Sequence, residues 1–114
     1  MADECIFCRI AKGEIPSEKI MEDDEIIAFK DIRPAAPVHI LVIPKIHIPT
    51  LNDVTADKLP LLGKMVGAAR DLAKKFGIAE SGYRTIINCN KGAGQEVFHL
   101  HLHVLGGRPV GAMG

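Results

Sequence analysis

Three of the five histidines, His99, His101 and His103, occupy every second position of the apolar run 97–105. In a β-strand alternate side chains share one face, which predicts a single row of imidazoles with neighbours roughly 6.6 Å apart at about 3.3 Å per residue. Imidazole can act as a nucleophile, a proton carrier or a metal ligand near neutral pH, so this row is the first candidate for chemistry. The same alternation predicts a core-facing set made of Phe98, Leu100, Leu102 and Val104.

The glycine-rich turn that precedes this row is a candidate phosphate site. Gly92, Ala93 and Gly94 are small enough for backbone N–H groups to approach a phosphate closely. A glycine pair in isolation usually indicates only a hairpin turn. Because this turn comes directly before the histidine row, a phosphate bound to its amides would lie beside His101 and His103.

Cys5 and Cys8 form a C-x₂-C pair, which is the usual first half of a zinc site. Tetrahedral closure needs two further ligands, and with no second such pair in the sequence they would be histidines. All five histidines are candidates at this point, namely His39, His47, His99, His101 and His103. A redox pair and two buried thiols are the alternatives. Cys89 stands alone in a predicted strand, which favours a small buried hydrophobe.

The composition limits the class of protein. With 114 residues, 47% of them hydrophobic, the chain is expected to form one domain, residues 1–114, with its own core. The 14 basic and 14 acidic residues leave no net charge, which argues against nucleic acid or an anionic membrane as a partner. The acidic start at residues 1–4, the lack of an apolar stretch of roughly 18 residues and the odd number of cysteines predict a cytoplasmic protein without a disulfide framework.

Hydrophobic periodicity predicts the elements that position these residues. A helix of one or two turns starts at Cys5 and stops at Gly13. One long amphipathic helix lies within 55–76, with Pro60 in its first turn and Gly77 after its end. Its apolar stripe comprises Leu62, Met65, Val66, Ala69, Leu72, Ala73 and Phe76. Strands are predicted at 25–32, 39–43, 83–89 and 97–105. This element order indicates an α+β fold built on an antiparallel meander.

Residues 99–105 follow the pattern His-φ-His-φ-His-φ-φ, where φ is apolar, and this pattern is the signature of the histidine triad (HIT) superfamily. Almost the whole chain is similar to the Hint branch of that superfamily, the nucleoside phosphoramidases. The segments that carry the similarity are Ile6-Phe7, Gly13-Glu14-Ile15-Pro16, Ala28-Phe29-Lys30-Asp31-Ile32, Leu41-Val42-Ile43-Pro44-Lys45, Gly94-Gln95-Glu96-Val97 and Gly106-Gly107-Arg108-Pro109. The resemblance implies a HIT-like fold: a five-stranded antiparallel meander sheet, one long helix, a short N-terminal helix, and two sheets joined across a homodimer.

The resemblance also implies an activity on a purine nucleotide. Members of the Hint branch cleave the P–N bond of purine nucleoside phosphoramidates, such as adenosine 5′-phosphoramidate and aminoacyl-adenylate-like compounds, through a nucleotidyl-histidine intermediate and without a catalytic metal. By position, His101 would be the nucleophile and His103 would contact the phosphate. The other implied substrate-binding residues are Asp31 for the ribose, Ile32, Asn88, Gly94, Gln95 and Glu96. The implied base pocket consists of Ile6, Phe7, Ile10 and Phe29.

The similarity bears on two further groups. Glu96 stands where animal members of the branch have a serine credited with helping to protonate the leaving amine, so the proton source stays open. Some bacterial relatives hold a structural zinc, and the matching positions here are Cys5, Cys8, His47 and His99. Zinc bound there would pin the N-terminal helix to the sheet. The alternative is a pair of thiols without metal, with His99 supporting His101.

Other functions stay open on the sequence. A dinucleoside polyphosphate hydrolase is the nearest alternative enzyme, and a nucleotide-binding adaptor with vestigial catalysis is the alternative outside enzymes. A third hypothesis makes the histidine row a catalytic metal site, since i, i+2 histidines on a strand can chelate zinc. For Asp31 and Asn88, ordinary polar roles at a strand end or a turn compete with substrate binding.

Overall fold

The computed structural model describes residues 5–111. The acidic start and the last three residues of the predicted domain therefore lie outside the described residues. In chain order the elements are α1 (Ile6–Ala11), β1 (Lys19–Glu22), β2 (Ile26–Lys30), β3 (Val38–Pro44), α2 (Leu59–Lys75), β4 (Tyr83–Ile86) and β5 (Leu102–Gly106). Short 3₁₀ turns occupy Leu51–Asp53, Ala56–Lys58 and Lys91–Ala93.

The five strands form one antiparallel sheet in the order β1-β2-β3-β5-β4. The first three strands follow the predicted meander, whereas the last two depart from it. Helix α2 carries the chain across the sheet to the edge strand β4, and β5 then returns between β4 and β3. Val104 of β5 accordingly pairs with Ile40 on one side and Thr85 on the other. The last triad histidine, His103, therefore lies in an interior strand.

Strand β1 is the one strand that hydrophobic periodicity does not reveal. Its two end residues, Lys19 and Glu22, are exposed, and only Ile20 and Met21 are partly buried. Two partly buried residues in four are too few for a periodic signal, and charged ends are typical of an edge strand. Pairing with β2 makes β1 the outer strand on that side of the sheet.

Helix α2 covers one face of the sheet and supplies the larger core. It begins at Leu59 with Pro60 in its first turn, and Gly77 follows its end with a φ of +74°, as predicted. Val66, predicted to face the core, is 53% exposed, because it lies one helical step of about 100° away from the stripe that is buried. That stripe comprises Leu61, Met65, Ala68, Ala69, Leu72 and Ala73. Within residues 5–111, no helix has the length and apolar character that crossing a bilayer requires.

Helix α1 covers the opposite face. Phe7 and Ile10 of this helix pack on Ile27, Phe29, Leu41 and Ile43 of the sheet. The thiol of Cys5 caps the helix by accepting the Cys8 N–H at 3.3 Å. A helix of six residues has little stability of its own, so its position depends on this packing and on its two cysteines.

The predicted strand over 97–105 is wrong in its first half, because β5 begins only at Leu102. The neighbouring strand β3 ends at Pro44, which has no N–H to donate to a continued ladder. The carbonyl of Pro44 accepts a hydrogen bond from the ring of His99 at 2.7 Å. His99 and His101 therefore lie in an irregular segment that leads into β5.

The alternation of side chains nevertheless persists through most of this segment. Leu100, Leu102 and Val104 are buried in the core under α2, as predicted. Phe98, also predicted to face the core, is 45% exposed and does not join them. The predicted strand at 83–89 is likewise shorter, since β4 ends at Ile86 and leaves Cys89 partly buried in the following loop.

Candidate active site

A cleft of about 520 Å³ opens on the α1 side of the sheet, within the size range of small-molecule sites. Its lining includes every residue predicted to contact a nucleotide except Gln95. These are Ile6, Phe7, Ile10, Phe29, Asp31, Ile32, Asn88, Gly94, Glu96, His101 and His103. Lys30 and Arg33 also line it and add positive charge at its rim. The two faces of the sheet thus differ in role, with the core under α2 and the cleft under α1.

His101 is held in one tautomer by the backbone. Its Nδ1 lies 2.7 Å from the carbonyl oxygen of His99. Because a carbonyl oxygen can only accept, Nδ1 carries the proton and donates it, which leaves the Nε2 of the neutral ring with a lone pair. The residue is 7% exposed and lines the cleft. In its neutral form, His101 can therefore act as a nitrogen nucleophile through Nε2.

His103 is held in the opposite tautomer by a relay through His39. The backbone N–H of Ala35 donates to Nδ1 of His39 at 2.9 Å, which places the His39 proton on Nε2. That Nε2 lies 2.9 Å from Nδ1 of His103. Nδ1 of His103 therefore accepts, and its proton resides on Nε2. A ring that lines the cleft with an N–H group can donate to an oxygen of a bound ligand.

The role of His39 is not apparent in the sequence, where it is only one of five candidate metal ligands. The available signal is the alternation along β3, since His39 shares a face with Leu41, and Leu41 pairs with His103 across the sheet. This signal can be recognised only when β3 is known to pair with β5. In the predicted meander β4 would lie next to β3, and His39 and His103 would not be on neighbouring strands.

Burial keeps this relay neutral. It lowers the pKa of His103 to about 4, with His101 and His39 as smaller causes in the same direction and Asp31 opposing them. Burial also lowers the pKa of His39, against the attraction of the Asp31 carboxylate. Both rings are therefore uncharged near pH 7, which the hydrogen-bond directions of the relay require.

Asp31 lies where the relay meets the cleft. Its Oδ2 is 3.3 Å from Nε2 of His39, and its side chain keeps 20% of its surface exposed. Its Oδ1 accepts the backbone N–H of Arg33 at 2.8 Å, so the carboxylate is fixed at the end of β2. A carboxylate can only accept hydrogen bonds, which suits it to bind ligand hydroxyl groups.

The four predicted metal ligands, Cys5, Cys8, His47 and His99, form one cluster whose donor atoms all lie within 4.8 Å of one another. Nδ1 of His99 is 3.3 Å from Sγ of Cys5 and 3.4 Å from Sγ of Cys8. Nδ1 of His47 is 3.2 Å from Sγ of Cys8. None of the three cysteines, all within the described residues, forms a disulfide.

This donor set fits zinc. Sulfur and nitrogen ligands at tetrahedral Zn²⁺ distances are about 3.6 Å apart, close to the separations in the cluster. The Nε2–H of His99 donates to Pro44, so Nδ1 faces the thiols with its lone pair. Burial lowers the pKa of His99 to about 4, with His47 and His101 acting in the same direction and the Pro44 carbonyl opposing, which keeps the ring in its neutral, ligating form.

The three triad histidines themselves do not converge on one metal site. Among residues 5–111 the groups with suitably close donor atoms are the Cys₂His₂ cluster and the set Asp31, His39 and His103. His99 faces the thiols, whereas Nδ1 of His101 is occupied by a carbonyl oxygen. The three imidazoles predicted to form one row therefore have three different sets of contacts.

Backbone N–H groups of the loop before the triad donate hydrogen bonds to carbonyls of the same loop. Gly94 N–H donates to Lys91 O at 2.9 Å, and Gln95 N–H donates to Asn90 O at 3.2 Å. The side chain of Gln95 is buried beneath the loop, where Oε1 accepts the Asn90 N–H at 2.7 Å and Nε2 donates to the carbonyls of Pro49 and Val97. This geometry gives the side chain of Gln95 a role in holding the loop, and Gln95 is not among the residues that line the cleft.

Comparison with known proteins gives consistent matches over nearly the whole chain. Residues 4–111 match the family described as scavenger mRNA decapping enzyme C-term binding. Purine nucleoside phosphoramidase of Escherichia coli (strain K12) is 54% identical over 113 residues, which span 99% of this chain and 95% of that protein. A HIT family hydrolase from Legionella pneumophila Philadelphia 1 is similar in structure with a TM-score of 0.93 and 53% identity, covering 95% of this chain and 96% of that one. A Zn-bound histidine triad family protein from Mycobacterium smegmatis gives a TM-score of 0.82 at 34% identity, covering 96% and 79% of the two chains.

Proposed function

The chain belongs to the histidine triad family, and we propose that it hydrolyses the P–N bond of purine nucleoside phosphoramidates through a nucleotidyl-histidine intermediate on His101. The observation that carries the proposal is the pair of opposite tautomers in the cleft. His101 presents a lone pair on Nε2 and His103 presents an N–H on Nε2, and the centroids of the two rings are 5.0 Å apart. The 54% identity to the Escherichia coli phosphoramidase supports the choice of substrate.

The reaction proceeds in two displacements. Nε2 of His101 donates its lone pair to the α-phosphorus, the P–N bond breaks, and the amine leaves with a proton from the site or from solvent. Water then attacks the phosphorus, the bond to His101 breaks, and a nucleoside monophosphate is released. His103 donates its Nε2–H to a phosphoryl oxygen and stabilises the charge that develops there. The carbonyl of His99 keeps its hydrogen bond to Nδ1–H of His101 throughout, so the ring can carry positive charge in the intermediate.

The remaining cleft residues bind the nucleoside. Asp31 accepts hydrogen bonds from the ribose hydroxyls, because it is an acceptor at the mouth of the cleft. The base lies in the apolar part formed by α1 and β2. Ile32, which is 89% exposed, gains burial when a base covers it. The residues in contact with the base are Ile6, Phe7, Ile10, Phe29 and Ile32.

Substitution of the nucleophile tests this proposal. His101→Ala should abolish release of AMP from adenosine 5′-phosphoramidate while retaining AMP binding, which also shows that the variant is folded. A variant that keeps most of its turnover would contradict covalent catalysis by His101. A panel of adenosine and guanosine phosphoramidates and diadenosine polyphosphates separates the two hydrolase activities. Tight AMP binding without turnover of any of these compounds would identify a nucleotide-binding adaptor.

The Cys₂His₂ cluster binds one structural zinc ion. The support is the donor set and the distances between its atoms. Four protein ligands leave no position for a reactive water, so the ion would be structural. Bound zinc supplies a cross-link between α1 and the segment that leads into β5. Elemental analysis of the purified protein should find one zinc per chain in wild type and in Cys89→Ser, and much less in Cys8→Ser. Equal zinc in all three proteins would refute the assignment.

The protein forms a homodimer in which two sheets are joined. Strand β4 is at the edge of the sheet, with one side unpaired in the described chain. On α2, Leu59 and Val66 are more than half exposed, and Gly63 and Gly67 leave open space at the same helical spacing. Sedimentation velocity should give twice the mass of one chain for wild type and a lower mass for Val66→Lys. A wild-type monomer at all concentrations would contradict the dimer.

A further inference from the structure

Phe7 contacts residues outside the proposed base pocket as well as within it. Its ring centroid lies 5.1 Å from that of His101 with the two planes at 87°, and 6.0 Å from that of His99 at 73°. It also packs against Phe29 at 5.6 Å and 71°. The residue is only 7% exposed, so most of its surface faces protein. Phe7 is thus packed against both the nucleophile and a residue of the metal-binding cluster.

A nitrogen nucleophile creates a particular need for such packing. Nε2 of His101 must keep its lone pair unpaired in order to attack, so no hydrogen bond can fix that end of the ring. The bond from Nδ1 to the His99 carbonyl fixes only the other end, and the ring can still tilt about it. The remaining orientation has to come from the rings of Phe7 and His103, at 5.1 Å and 5.0 Å.

Phe7 is itself firmly placed. It lies between Cys5 and Cys8 on α1, and the thiols of both residues contact Nδ1 of His99. The position of its ring is therefore set by the same cluster whose histidine provides the carbonyl for His101. Edge-to-face aromatic packing adds a preferred angle to this contact, which an aliphatic side chain of similar volume does not.

We propose that Phe7 is a positioning residue for His101, holding its imidazole in the orientation from which Nε2 attacks phosphorus. The proposal rests on the function proposed above and deepens it, because it assigns to a residue of the base pocket a second role in the chemical step. It predicts that loss of the Phe7 ring lowers kcat more than it weakens nucleotide binding. Loss of a base contact alone predicts the reverse.

The test compares Phe7→Leu with Phe29→Leu. Both variants remove one ring from the same buried pair, but among the described residues the only ring contact of Phe29 is with Phe7. Phe7→Leu should lower kcat for adenosine 5′-phosphoramidate by about tenfold or more, the scale of loss that follows from a misplaced reacting group. Its Kd for AMP should change no more than that of Phe29→Leu, whose main effect should be on binding. A kcat of Phe7→Leu equal to that of Phe29→Leu would overturn the proposal.

A second measurement does not depend on turnover. In ¹⁵N NMR spectra of the free wild-type protein, His101 should give the signals of one neutral tautomer, with the proton on Nδ1. In Phe7→Leu the shifts should move toward the average of both tautomers, whereas Phe29→Leu should resemble wild type. Wild-type shifts in Phe7→Leu would refute positioning even if the activity proposal holds. If His101→Ala keeps its turnover, the proposed function fails, and the spectra still decide whether Phe7 orients the ring.

Discussion

Substitution of Gln95 tests whether its side-chain amide anchors the loop that precedes the triad. Gln95 is 5% exposed, and its side chain makes three hydrogen bonds, to Asn90 N–H at 2.7 Å, Pro49 O at 2.8 Å and Val97 O at 3.0 Å. Gln95→Ala removes all three, and at about 1 kcal/mol of net stability for each bond the folded state should lose about 3 kcal/mol. The Asn90 N–H that is released belongs to a non-glycine residue with a φ of +70°, so the strained turn also loses its support.

Urea denaturation followed by circular dichroism measures this loss. The midpoint should fall with little change in the slope, since the same surface is exposed on unfolding. Glu96→Gln is the matched control. Glu96 is the next residue and its side chain is exposed, so this substitution should change the stability by no more than about 0.5 kcal/mol. The KM of Gln95→Ala should rise as well, because the loop lines the cleft. If Gln95→Ala is as stable as wild type and turnover nevertheless collapses, Gln95 contacts the substrate directly and the anchoring argument is wrong.

Three further outcomes are expected. Because the folded-state pKa of His103 is about 4 and the ordinary value is 6.5, the unfolded chain binds the proton first. The contribution of His103 to stability should therefore fall as the pH drops from 6.5 towards 4, by up to about 1.4 kcal/mol per pH unit. Urea titrations at several pH values should show that His103→Asn reduces the slope of the whole protein by up to that amount. Chelation of zinc should lower the melting temperature of wild type and of Cys89→Ser alike; an unchanged melting temperature would count against a structural metal. His39→Leu should lower kcat by about tenfold, less than the roughly 100-fold or more expected for loss of a proton donor itself, because His103 remains and loses only its orientation. Zinc content should stay at the wild-type level, and unaltered kcat would exclude the relay.

Most of the architecture is predictable from the sequence because it depends on periodicity. The limits of α2 follow from Pro60 and Gly77, whose backbone constraints are local. The alternation of Leu100, Leu102 and Val104 correctly places these three residues in the core. The edge strand β1 escapes detection because its partly buried residues are too few to produce a period.

The features that sequence reasoning misses are those that depend on pairing. The order of β5 and β4 places His39 on the strand next to His103 and on the same face of the sheet, and no local pattern contains that order. The late start of the histidine strand, at Leu102, depends on Pro44, which is 55 residues away from His99 in sequence. The anchoring role of Gln95 depends on the position of Pro49, which belongs to another loop.

The side chain and the main chain of His99 make two chemically separate contacts. Its ring faces the thiols, while its main-chain carbonyl fixes the proton of His101. Substitution of His99 by alanine removes the ring and leaves the carbonyl. Such a variant therefore reports only the effect of losing the ring and misses the contribution of the carbonyl. Conversely, any side chain at this position that preserves the local backbone still presents the carbonyl to Nδ1 of His101. Side-chain substitution at position 99 can therefore remove one donor of the Cys₂His₂ cluster, while the main-chain carbonyl that accepts the His101 proton is present whichever side chain stands there.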